Sequence, residues 1–171
     1  MPEAANVRLV AATAELLALE GKDLRALCSE LGVVAPPSWP PEYCGEQFRS
    51  WLLKKLEAPT AEENWLSNYV VADGQLAGTA GYKGKPNLGI VEVGYSVVPE
   101  LQRRGIATAA VRQLVDRAFT DSAVESVVAE TLETLPASQK VLVACGFALA
   151  SRSRQAGDIS ILRYSIAKPA I

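Results

Sequence analysis

The stretch Val91–Phe119 limits the possible folds more than any other part of the chain. Val91, Val93, Tyr95 and Val97 alternate with Glu92, Gly94 and Ser96, the period of a strand with one buried face and one available face. A turn at Pro99-Glu100 follows, and Gln102-Arg103-Arg104-Gly105-Ile106-Ala107-Thr108 then opens a long helical pattern. Ala107, Val111, Leu114, Val115 and Ala118 fall on one stripe of that helix, with Arg112, Gln113, Asp116 and Arg117 outside it. That stripe should pack on the sheet. The first N–H groups of a helix lack intrahelical partners and sit at the positive end of its dipole, so a loop wrapping onto them can hold an anion with backbone alone. Gly105 and the small Ala107 leave that backbone uncovered.

The flanks supply the rest of the sheet. Val7–Ala12 alternates weakly as a first strand, Thr13 caps a helical run with Leu16, Leu17 and Leu19, and Gly21 breaks or bends it. Asp23 caps a second short helix that ends at Gly32. Pro36-Pro37-Ser38-Trp39-Pro40-Pro41 can be neither helix nor central strand and reads as a rigid, exposed excursion. Phe48, Leu52, Leu53 and Leu56 mark an amphipathic helix over 42–57. Strand-like runs at 65–72 and 75–82 flank Asp73-Gly74, a strong hairpin signal. After the long helix come a buried strand at 124–132, a short helix at 134–145 stopped by Gly146, and two strands, 147–151 and 158–166, around an Arg-rich turn.

Composition enters by exclusion. The 171 residues suit one domain, and no apolar run approaches the roughly 20 residues of a membrane span. A net charge of −2 gives no global attraction to nucleic acid, so an anion site must be local. Cys28, Cys44 and Cys145 are odd in number and widely spaced, indicating packed thiols rather than disulfides or a metal site. The chain has no histidine, which removes Ser-His and Cys-His pairs and leaves carboxylate, Tyr, Cys, Lys or water as general base. Met1–Asn6 lacks the pattern of a signal peptide, and a cytoplasmic location is expected.

Gly105–Thr108 matches neither the dinucleotide fingerprint nor the P-loop. With Gln102, Gly105 and Ala107 in place, it resembles the acyl-CoA motif of the GNAT superfamily of N-acetyltransferases, and the order of elements from Trp65 onward follows that family. Glu92-Val93-Gly94-Tyr95 and 131–147 look closest to the branch that acetylates ribosomal-protein N-termini and some small amines. The resemblance implies an α/β (α+β) GNAT fold: a mixed, mostly antiparallel twisted sheet of about six or seven strands with four or five helices. It implies a single domain, 1–171, in which 1–62 form a helical acceptor-side region and 63–171 an acetyl-CoA-binding core. Backbone groups of Tyr95, Ser96 and Val97 would bind the pantetheine arm, Gln102 belongs to the motif, and Arg103, Arg104, Gly105, Ile106, Ala107 and Thr108 would wrap the pyrophosphate.

The reaction so implied is direct attack of a primary amine, at a protein N-terminus or on a small molecule, on the thioester of acetyl-CoA, with no metal. Glu92 on the motif strand and Glu130 on the next strand compete as base. Glu130, between Val128 and Leu132, would have its pKa raised by desolvation. The Tyr that serves many relatives as general acid is Leu142 here, and a family Asn that contacts the cofactor is Leu135; Ser138 could donate to the departing sulfur or merely satisfy backbone in its helix. Trp39, Tyr43 and Trp51, with Glu42 and Glu46, could line the acceptor cleft. The alternative is a catalytically degenerate acyl-CoA-binding or sensing domain, motivated by Leu135 and Leu142. Neither reading calls for nucleic acid or membrane, and a monomer or homodimer fits both.

Overall fold

A computed structural model describes residues 5–60 and 62–170. Seven strands form one sheet: β1 (Val7–Ala11), β2 (Ser67–Ala72), β3 (Gln75–Tyr82), β4 (Ile90–Val97), β5 (Ser126–Leu132), β6 (Ala148–Gln155) and β7 (Ile159–Ala167), in the order β1-β2-β3-β4-β5-β7-β6. Every neighbouring pair is antiparallel except β4 and β5, which run parallel and are joined by the crossover helix α4 (Ile106–Phe119). Helix α5 (Pro136–Ala144) follows β5, while α1 (Ala14–Lys22), α2 (Leu24–Leu31) and α3 (Glu46–Glu57) precede β2. The expected mixed, mostly antiparallel sheet of about six or seven strands with four or five helices is observed, with seven strands and five α-helices among the described residues.

Two apolar layers hold the helices to the sheet. On one face α4 buries Ile106, Ala110, Val111, Leu114, Val115 and Ala118 against Val70, Ala80, Val91, Val93 and Val127. On the other, Leu17, Leu27, Leu52 and Leu56 of α1, α2 and α3 pack on Tyr69 and Leu76. Capping agrees with the residue types: Thr13 accepts the Leu16 N–H at 3.2 Å and Asp23 accepts the Arg25 N–H at 2.9 Å. The β2–β3 hairpin turns through Asp73 (φ 49°) and Gly74 (φ 75°), the left-handed pair that a two-residue turn requires.

Local expectations are corrected in five places. Gly21 does not break α1, which runs on to Lys22 because the Asp23 cap lies two residues further. α3 starts at Glu46 rather than 42. The proline excursion is not simply exposed, since Pro36 and Pro41 are buried and Trp39 is half-buried. In α4, Ile106 and Ala110 take the core positions, and Ala107 stays half-exposed. Arg152 and Arg154 lie within β6, whose extended pairing with β7 shortens the final turn.

Candidate active site

The sheet opens at the parallel junction between β4 and β5. Pairing between β4 and β5 stops at Val93 opposite Ala129, yet β4 continues to Val97 along β3, and β5 continues to Leu132 along β7. From Gly94 on one side and Glu130 on the other, the facing strand edges have no strand between them. An extended chain with amide groups, laid in that gap, finds the peptide groups a strand would otherwise use.

The loop after β4 is shaped around its backbone. Gln102 Nε2 donates to the Val97 carbonyl at 2.9 Å and ties the loop to the strand end. Arg103 (φ 61°) and Gly105 (φ 75°) adopt left-handed conformations, and Gly105 is the N-cap of α4 with no side-chain cap. Among the described residues, no protein acceptor meets the backbone N–H groups of Arg103, Arg104, Gly105, Ile106, Ala107 or Thr108. Arg103 and Arg104 are exposed and form no ion pair among the described residues. Six free N–H groups, two arginines and a helix dipole fit a diphosphate. A Cβ built on Gly105 meets nothing within 4 Å, so the glycine serves its backbone angle rather than a tight fit.

The carboxylates and hydroxyls divide between the two faces of the sheet. Glu92 lies opposite Val128, and Glu130 is two residues further along β5, so both carboxylates project from the face carrying α1–α3. Glu92 Oε1 meets Lys83 Nζ at 2.6 Å, and Glu130 Oε1 meets Arg163 Nη1 at 2.9 Å. The burial expected for Glu130 is absent: its side chain is 38% exposed and paired with Arg163 across the β5–β7 ladder. On the α4–α5 face, the Tyr95 hydroxyl donates to the Ser138 carbonyl at 3.0 Å and lies 2.9 Å from Ser138 Oγ. Burial pushes the Tyr95 phenol up to about 12, against the opposing effect of the Ser138 hydrogen bond. Leu142 is wholly buried in the core and Leu135 is 38% exposed at the start of α5.

The front of the chain closes over the α1–α3 face of β4. Ser96 Oγ donates to the Glu42 carbonyl at 3.0 Å, and Cys44 Sγ lies 3.2 Å from Thr79 Oγ1, the residue paired with Ser96. Ser38 donates through its N–H to Glu100 Oε1 at 3.1 Å and through its hydroxyl to Glu100 Oε2, which holds that carboxyl below its ordinary range. The proline excursion is thereby fastened to the turn that precedes the anion-binding loop. Of the candidate aromatic residues, Trp39 tilts against Tyr69 with centroids 6.3 Å apart, Trp51 stacks on Phe48 at 6.1 Å, and Tyr43 is exposed beside Cys44. Glu42 and Glu46 are exposed.

Glu20 was not legible as part of this wall. Its side chain is 5% exposed, accepts from Trp39 Nε1 at 3.0 Å and Tyr69 Oη at 2.7 Å, and lies 3.9 Å from Arg49. Burial and the adjacent Glu20 charge together push the Tyr69 phenol up. The group lines a small cavity that reaches Cys44 and Thr79, with room for about one water. Its one sequence signal is a carboxylate three residues after Leu17, on the apolar stripe of α1.

The opened parallel junction lies beside a loop of free N–H groups, an arrangement that suits an extended amide chain ending in a diphosphate. A family model described as an acetyltransferase (GNAT) domain matches residues 15–148, and the chain belongs to that family. No curated protein sequence matches the chain. The RimL ribosomal L7/L12 α-N-protein acetyltransferase, solved with coenzyme A, is 16% identical with a TM-score of 0.68, over 94% of this chain and 93% of that one. The microcin C7 self-immunity acetyltransferase MccE, solved with acetyl-CoA and AMP, is 15% identical with a TM-score of 0.65, over 94% and 92%. The ribosomal-protein-S5-alanine acetyltransferase from Vibrio fischeri is 22% identical with a TM-score of 0.63, over 98% and 95%. At these identities the likeness is one of fold.

Proposed function

We propose that the protein transfers the acetyl group of acetyl-CoA to a primary amine, at a protein N-terminus or on a small molecule, by direct attack. The observation that carries this reading is the end of β4–β5 pairing at Val93 and Ala129, directly upstream of the six free N–H groups of the loop. Residues 103–108 bind the pyrophosphate, and the backbone of Tyr95, Ser96 and Val97 binds the pantetheine arm along the open edge of β4. Acetyl-CoA supplies the activated thioester.

The two faces then divide the proton chemistry. The amine enters from the α1–α3 side, where Glu92 or Glu130 removes its proton; an arriving ammonium competes with Lys83 or Arg163 for the carboxylate. Sulfur leaves toward the α5 side, where the Ser138 hydroxyl, held 2.9 Å from Tyr95 Oη, stabilises the departing thiolate by a hydrogen bond until solvent protonates it. A non-catalytic acyl-CoA-binding domain is the second reading, favoured by the buried Leu142 and by the ion pairs on both carboxylates.

A coupled thiol-release assay with acetyl-CoA and a panel of N-terminal peptides, polyamines and aminoglycosides separates the two. Turnover that falls on the order of 10²-fold in Glu92→Gln or Glu130→Gln supports the transferase and names its base. Calorimetric binding of acetyl-CoA without turnover on any amine supports the second reading.

A further inference from the structure

The molecule carries a second cleft, at the opposite end of α4 from the anion-binding loop. α4 is fourteen residues long, so its two ends lie about 20 Å apart. The cleft is open, about 490 Å³, and lies where the end of α4 meets the β1–β2 edge of the sheet. That volume is in the range of small-molecule sites.

Its lining is chemically uneven. Leu9 and Ala11 of β1 and the half-buried ring of Trp65 form an apolar wall, the ring held edge-on to Tyr82 with centroids 4.9 Å apart. Arg117 brings a guanidinium and Asp121 a carboxylate, and among the described residues neither forms an ion pair, with the other or with any third group. One Asp121 oxygen, Oδ1, accepts the Ala123 N–H at 2.8 Å, and the Asp121 carbonyl accepts from Lys168 Nζ at 3.0 Å, so the turn carrying the carboxylate is braced.

Asn68 supplies an independent sign. It is 4% exposed, yet its Nδ2 is spent on the Ala80 carbonyl at 3.0 Å, and among the described residues no donor meets its Oδ1. No described buried side-chain polar atom is sealed off without a partner, so that oxygen keeps some exposure, and Asn68 lines both this cleft and the small cavity beside Glu20. Tyr69 packs on the α1–α3 layer and Val70 on the α4 layer; alternation along β2 puts the Asn68 side chain on the α4 side, where this cleft lies.

We infer that this cleft binds a free α-amino acid. Arg117 takes the carboxylate, Asp121 and the Asn68 amide oxygen take the ammonium, and the side chain lies against Trp65, Leu9 and Ala11. A plain anion would face Asp121 and a plain amine Arg117; a zwitterion satisfies both, and the bidentate fork of Arg suits a carboxylate. The site shares α4 with the acyl-CoA loop and is separate from it.

The test is calorimetry and saturation-transfer NMR on the full chain with the twenty free amino acids. Each is compared with its decarboxylated amine and its deaminated acid. Saturable binding of at least one amino acid is expected, with both truncated analogues roughly tenfold weaker or worse. Arg117→Gln and Asp121→Asn, both on accessible side chains, are each expected to weaken that binding by a similar factor while acetyl-CoA affinity is unchanged. The inference is overturned if no amino acid saturates, if an analogue binds equally well, or if binding survives both substitutions. Loss of acetyl-CoA binding in the unsubstituted protein would instead sink the transferase reading and leave this one standing.

Discussion

The Tyr95 hydroxyl lies 2.9 Å from Ser138 Oγ, which joins β4 to the helix that follows β5 on the far side of the open junction. Sequence spacing places these residues 43 positions apart, and only the parallel β4–β5 crossover brings them together. The pair occupies the part of α5 where Leu142 cannot act as an acid. Ser138→Ala is expected to lower kcat on the order of 10²-fold with KM for acetyl-CoA nearly unchanged. Tyr95→Phe should do the same and also cost about 1 kcal/mol of stability for the lost hydrogen bond. Steady-state kinetics with urea unfolding of each variant checks this; equal loss in kcat and affinity would mean the pair only positions the helix.

Gly105→Ala is expected to weaken acetyl-CoA binding with little steric disturbance. Its Cβ would meet nothing, but the left-handed backbone costs an L-residue about 1–2 kcal/mol. Relaxing that cost turns the N–H groups away from the pyrophosphate. Calorimetry should show a roughly tenfold weaker Kd, and Gly105→Glu, which adds a negative charge, should abolish binding.

Gly78→Ala acts on β4 from its β3 side, opposite its open edge. A Cβ there would lie 2.0 Å from the Ser96 carbonyl oxygen, a backbone atom that cannot swing aside. Destabilisation of about 3 kcal/mol is expected, together with weaker acetyl-CoA binding, because β4 must shift where its edge is open. Chemical denaturation of the variant reads the first effect, and calorimetry the second.

Ser38 and Glu100 set a pH dependence. Hydrogen bonds from Ser38 lower the Glu100 pKa from its ordinary 4.5, so the carboxylate form favours the fastened loop. Because the folded value is the depressed one, this contribution is complete above about pH 4.5 and is lost as pH falls through the folded value. Trp39, next to Ser38, should report the release by fluorescence, and Glu100→Gln should remove that transition. An unchanged acid transition in the variant would refute the assignment.

Glu20→Ala is expected to cost about 2–3 kcal/mol. It strips the acceptor from the Trp39 ring nitrogen and the Tyr69 hydroxyl, both partly or wholly buried, and leaves Arg49 without its carboxylate. Thermal unfolding measures the loss. Acetyl-CoA affinity should hold, since the cluster lies on the acceptor side.

Much of the fold could be read from local pattern because the relevant signals are local. Alternation from Val91 to Val97, the Asp73-Gly74 turn, the Thr13 and Asp23 caps and the stripe of α4 each act within one element, and each is seen in the structure. Local pattern misled where burial is set by distant partners. Ala107 fits the stripe by spacing, yet Ile106 and Ala110 meet the sheet, because the left-handed turn at Gly105 sets the rotation of the helix. Glu130 stands between apolar neighbours in sequence, but no layer covers it and Arg163 reaches it from β7. The proline run reads as exposed, while Trp39 is drawn in by Glu20 and Tyr69.

Side-chain period, Cβ sterics and the free N–H groups of a helix start are enough to specify the strand, glycine turn and helix from Val91 to Phe119. The tertiary structure alone decided where β4 and β5 part, that Tyr95 meets Ser138, that Glu92 and Glu130 are engaged by Lys83 and Arg163, and that Glu20 is buried. Those relations depend on strand order, register and packing between residues far apart in the chain, quantities on which no local period bears.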